Sequence, residues 1–79
     1  MHDNKERIIN LNDSVYEICK RYPDIISTLV QMGFKDIQKP GMLNTMGKFM
    51  TIPKGAAMKK LDLSTIISEL ESNGYYIIK

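Results

Sequence analysis

Cysteine and histidine are almost missing from this chain, which has only Cys19 and His2. A lone thiol cannot close an internal disulfide. One Cys with one His cannot build a catalytic dyad, a zinc site or an iron–sulfur site within a single chain. His2 also sits in a polar N-terminal run, so neither a catalytic nor a ligand role is expected of it. No apolar run approaches the roughly 18 residues that a membrane span needs. The first seven residues, MHDNKER, contain no apolar core of a secretory leader. With thiols this scarce, a cytoplasmic location is the expectation. Nucleophile elbow, Gly-rich phosphate loop and HExxH motif are all absent, and the carboxylates are scattered. The expectation is a non-enzymatic domain that needs no metal or cofactor.

What is present is clearest from Asp13 to Gly33, DSVYEICKRYPDIISTLVQMG. Asp13 or Ser14 can cap a first helix, and Ser14 with Glu17 fits the S-x-x-E capping box. Val15, Ile18, Cys19 and Tyr22 then recur at helical spacing, with Glu17, Lys20 and Arg21 on the opposite face. Pro23 ends that helix and suits the first position of a second one, whose apolar stripe is Ile25, Ile26, Leu29 and Val30. Gly33 reads as a left-handed stop, with Phe34 folding back toward Leu29. Two helices joined without a loop favour an irregular array over an up-down bundle.

Elsewhere the signals are shorter. Phe34 to Gly41 reads as a loop with Ile37 as its anchored residue. Met42 to Met50 reads as a third helix with Leu43, Met46, Phe49 and Met50 apolar, and Gly47 as a weak point or close-packing position. Thr51 caps a short fourth helix from Pro53 to about Lys60. A fifth helix starts at Asp62 or Ser64 and stops at Asn73-Gly74. Tyr75 to Ile78 is a strand candidate, placed beside Ile8 to Leu11. The fold class is therefore all-α, an irregular array of about five short helices, with a minor two-stranded pairing of the terminal segments. Residues 1–79 form a single domain, 1–7 being a flexible tail and 8–78 the helical part.

Charge is uneven along the chain. Residues 35–60 carry six lysines against Asp36, a net of +5, whereas 1–34 has a net of −1 and 61–79 a net of −2. No arginine and few aromatics accompany those lysines, which argues against nucleic acid as the partner. Cys19, on the apolar stripe of the first helix, reads as a core residue, the alternative being a redox or metal-binding thiol. Met42, Met46 and Met50 fall at i, i+4 and i+8 on one line. They suit either core packing or an adaptable apolar groove for a partner. Thr51 and Lys54, at a helix start, could together hold an anion.

Two segments, SVYEICKRYPDIISTLVQMGF and NTMGKFMTIPKGAAMKKLDLSTIISELESNGY, resemble small bacterial domains of unknown function related to the hybrid-cluster-protein-associated redox disulfide domain. The resemblance runs from about Ile9 to Ile78 and rests on the V-x-E-I-x-x-R-Y-P-D element and the M-G-F stop. It implies a compact domain of about five short helices and an association with PAS-type sensor or hemerythrin-like domains. Redox members carry a C-x-x-C-type pair after the glycine that ends the second helix. The matching positions here, Phe34-Lys35-Asp36-Ile37, hold no cysteine, so the thiol–disulfide role transfers to no residue. The N-terminal domain of di-iron repair-of-iron-centre proteins is distantly similar, and its paired cysteines are missing here as well.

Taken together, the residues favour a protein-interacting or sensory accessory module, monomeric or homodimeric, with no membrane partner. Met42, Met46, Lys48, Met50, Thr51 and Lys54 are its candidate binding residues. The alternatives are an anion or small-molecule domain using the 51–56 turn, and a degenerate redox domain.

Overall fold

The computed structural model of the protein describes residues 7–78. In chain order these form β1 (Arg7–Asn10), α1 (Val15–Arg21), α2 (Ile25–Gln31), a 3-10 turn (Lys35–Gln38), α3 (Met42–Thr45), a second 3-10 turn (Met46–Lys48), α4 (Ile52–Lys59), α5 (Leu63–Ser72) and β2 (Tyr75–Ile78). Five short helices and a pairing of the two terminal segments are what the sequence led one to expect. The two strands run parallel, with Ile8 opposite Tyr76 and Ile9 opposite Ile77. All five helices together form the long crossover that a parallel pair requires.

Local chemistry explains most boundaries. Ser14 Oγ accepts from the Glu17 N–H at 3.1 Å and caps α1. Pro23 and Asp24 form a turn rather than the first residues of α2, and the helix starts at Ile25. Past the α2 end, the Gly33 N–H reaches the Val30 carbonyl and the Phe34 N–H reaches the Leu29 carbonyl, the bond pair of a Schellman stop. Gly33 has φ +123°, and a side chain there would also meet Leu61 at 2.9 Å. α4 ends in the same bond pattern, with Leu61 N–H on Ala56 O and Lys60 N–H on Ala57 O. Lys60 holds the left-handed position there (φ 58°), a conformation that costs a residue with a Cβ about 1 kcal/mol.

The core draws on every long element. Ile9, Val15, Ile18, Ile25, Leu29, Phe34, Ile52 and Leu70 are its fully enclosed large side chains. β2 alternates, with Tyr75 and Ile77 inside and Tyr76 and Ile78 outside.

Three expectations are corrected. Arg7, placed above in a flexible tail, is the first residue of β1. Its guanidinium bonds Asp24 at 2.8 Å and donates to the Tyr75 hydroxyl at 3.1 Å. His2 and the rest of that tail lie outside the described residues. Phe34 to Gly41 is not plain loop, since a 3-10 turn follows the wholly buried Phe34.

The third correction is the helix expected over 42–50, which breaks into one α turn and a 3-10 turn. Thr45 Oγ1 donates back to the Gly41 carbonyl at 2.8 Å and approaches the Met42 carbonyl at 3.3 Å, the kind of back-bonding that bends a helix. Gly47 follows, with the lowest helix propensity after proline. As a result Phe49, expected on the apolar stripe, turns outward and is 80% exposed.

Candidate functional site

The break after Thr45 shapes an apolar groove on one side of the domain. Its lining comes from four stretches. Phe34 sits just past α2, Asp36 and Ile37 lie on the first 3-10 turn, Met42 to Met50 supply three methionines and Gly47, and α4 adds Met58 and Lys59. On a straight helix Met42, Met46 and Met50 would form one ridge. The bent backbone instead wraps all three around the groove. Met50 is held there because its carbonyl accepts the Val15 N–H at 2.7 Å, which ties the lining to the start of α1.

Two of the methionines remain available to solvent, Met46 at 46% and Met58 at 67% exposure. Phe49 stands next to Met50 and donates its N–H to the Met46 carbonyl at 3.0 Å. The free space is about 60 Å³, well below the roughly 300–1,000 Å³ of pockets that enclose a drug-sized ligand. A groove of this size suits an inserted side chain, and flexible thioethers let it adapt to one.

One ion cluster sits at the rim. Lys59 Nζ donates to Asp36 at 3.0 Å, and Lys39 Nζ lies 3.7 Å from the same carboxylate. The hydrogen bond from Lys59, then its charge and that of Lys39, hold the Asp36 carboxyl below its ordinary range.

The structure thus brings Met42, Met46 and Met50 together and leaves Lys48, Thr51 and Lys54 out of the lining. Lys48 extends over the Tyr16 ring, 5.1 Å from its centre. Thr51 caps α4, accepting the Lys54 N–H at 3.2 Å, and pairs with Ser14 in a single antiparallel bridge. Lys54 is exposed on the first turn of α4. As binding residues, sequence reasoning missed Asp36, Gly47 and Lys59, and also Met58, Phe34 and Ile37. The clustering of methionines up to position 58 was the available signal for Met58; nothing local marks Phe34 or Ile37.

Cys19 is 2% exposed on the buried face of α1. Burial pushes its thiol up to about 11, from an ordinary 9.0. The expected result is that a thiol reagent labels Cys19 only after denaturant is added. Because the folded state holds this proton more tightly, the associated stability is complete below about pH 9 and is lost as pH rises toward 11. Fast labelling of native protein near neutral pH would contradict this. Among the described residues, no group of three or more His, Cys, Asp or Glu gathers as a metal site. No helix is long and apolar enough to cross a membrane.

These features define a small, mainly helical domain closed by a parallel pair of terminal strands, with a methionine-lined groove on one side. A family described as "Domain of unknown function (DUF1858)" matches residues 9–67, a span that includes the whole groove lining, and the chain belongs to that family. The chain is similar to a solved structure described as the conserved domain protein from Streptococcus pneumoniae TIGR4. The two share 30% sequence identity over 96% of each chain, with a TM-score of 0.89. Among curated proteins, none matches.

Proposed function

We propose that this domain is a non-enzymatic binding module whose methionine groove receives an apolar side chain of a protein partner. The observation that carries this reading is the convergence of Met42, Met46, Met50 and Met58 around one opening, with Met46, Met58 and neighbouring Phe49 left exposed. Methionine is over-used where one apolar surface must fit several shapes. The resemblance to the redox disulfide domains adds a second support. Where those members carry their cysteine pair, this chain has Phe34, Asp36 and Ile37, which line the groove. The same surface would then serve binding in place of thiol chemistry. PAS-type or hemerythrin-like sensor domains are the partner class that the resemblance suggests.

The test is a photocrosslinking amino acid placed at Phe49, or at Glu69 on α5 as a control, in cells of the protein's host. A discrete protein adduct is expected from position 49 and not from 69. Met46→Lys should remove the adduct and leave the melting temperature within about 2 °C, because an exposed site contributes little to stability. Equal adducts from both positions, or an adduct indifferent to Met46→Lys, would sink the reading.

A further inference from the structure

The chemistry around the groove says what kind of segment fits it. Residues 37–61 contain five lysines, Lys39, Lys48, Lys54, Lys59 and Lys60, and no aspartate or glutamate. This acid-free stretch supplies seven of the groove's nine lining residues, all but Phe34 and Asp36. Among the described residues, Asp36 is the one carboxylate in the lining, and Lys59 and Lys39 already engage it. Lys35, Lys48, Lys54 and Lys60 are exposed and make no salt bridge among the described residues. Lys54 precedes Met58 by four residues on α4, so the two lie on the same side of that helix. The other acids of the described residues are Asp13, Glu17 and Asp24 around α1 and α2, Asp62 at the start of α5, and Glu69 and Glu71 on α5.

Size narrows the occupant further. Free space of about 60 Å³ equals roughly four water-sized positions. A leucine or methionine side chain beyond Cα also has four heavy atoms. The groove therefore takes one such side chain, and anything more must lie over the rim, where Lys35, Lys48 and Lys60 adjoin lining residues in sequence. Lysine is a mobile point charge without the fixed fork of arginine. It therefore attracts negative charge without demanding a fixed geometry from it.

We propose that the groove's occupant is an acidic amphipathic segment of another protein, its apolar anchor seated among the methionines and its Asp and Glu side chains facing the lysines. This rests on the groove reading above and adds the sign of the partner's charge. Electrostatic complementarity of this kind speeds encounter and rejects basic segments.

The experiment uses the full chain with carbon-13 methyl-labelled methionine, observed by NMR. The probes are a glutamate-rich helical peptide with two leucines at i and i+4, its Leu→Ala version, and a version with lysine replacing every glutamate. The acidic leucine peptide should move the methyls of Met42, Met46, Met50 and Met58. It should leave Met32, which lies beside Leu61 and Ile66, in place. The other two peptides should bind at least about tenfold more weakly. Lys54→Glu should weaken the acidic peptide about fivefold, and so should salt near 1 M, where the screening length falls to about 3 Å. A glutamate in the first turn of α4 also suits the helix dipole, so this variant keeps its fold.

Equal binding of the acidic and basic leucine peptides, or no effect of Lys54→Glu, overturns the acidic occupant but not the groove. The same holds if no peptide moves the four methyls while crosslinking from position 49 succeeds. If those methyls respond only to single-stranded DNA or to phosphatidylglycerol vesicles, an anionic polymer or membrane replaces the acidic segment, and the proposal falls.

Discussion

Phe34→Ala is expected to destabilise the domain by about 3–5 kcal/mol, the usual cost of deleting a fully buried aromatic side chain. Phe34 is 1% exposed and stands where three features meet. Its N–H closes the stop of α2, its ring lies under Gly55 of α4, and its edge forms a wall of the groove. At roughly 0.05–0.15 kcal/mol per residue, a domain of 79 residues has a total stability of about 4–12 kcal/mol. Removing the ring therefore takes a quarter or more of it. Urea unfolding should show a large fall in midpoint. Phe34→Leu, which keeps most of the volume, should cost less than about 1.5 kcal/mol. A midpoint for Phe34→Ala within error of the parent would mean that the ring is not packed as described.

Gly55→Ala is expected to lower the melting temperature, by up to about 15 °C, although helix propensity argues the other way. Alanine inside a helix is favoured over glycine by about 1 kcal/mol. At this position, however, a Cβ would lie 2.7 Å from Phe34 Cε1 and 3.0 Å from Met50 Sδ. The sulfur ends a flexible side chain and can yield. The ring is rigid and 1% exposed, so it yields far less readily. Overpacking of about 1–3 kcal/mol therefore outweighs the propensity gain, and each net kcal/mol shifts a domain of this size by about 4–8 °C. The double variant with Phe34→Leu isolates the cause, because leucine has no atom at the Cε1 position. In that background Gly55→Ala should be neutral or stabilising, a coupling that calorimetry on the four proteins would read. Equal destabilisation in both backgrounds would place the clash elsewhere.

Both results bear on function, because Phe34 belongs to the core and lines the groove at once, and Gly55 packs on it. Changes at Phe34 and Gly55 act on stability first. Met46, Phe49 and Met58 project from the fold and can be exchanged with little structural cost. Variants meant to test binding belong on that outer set.

The helix starts and stops were written locally, and the sequence determined them by itself. Ser14 and Thr51 cap, Gly33 terminates, and the apolar spacing from Val15 to Leu29 chose the buried faces. Such signals depend on backbone atoms a few residues away, so no tertiary partner is needed to read them. The pairing of the terminal strands was legible too, since two short apolar runs have few other ways to leave water. The end of α4 near Lys60 was legible as well, but its left-handed form was not, because that goes with Leu61 packing near the distant Gly33.

The groove was half legible. The methionine cluster between 42 and 58 and its lysines stand in the sequence, but helical periodicity put Phe49 inside and implied a straight ridge. Thr45 competing for its own helix's carbonyls, and Met50 bonding to Val15, decided otherwise. Phe34 and Ile37 join the methionines only because the end of α2 folds back under α4. Those choices belong to tertiary structure, for the physical reason that packing against distant residues outweighs the small energies by which a short segment prefers one shape.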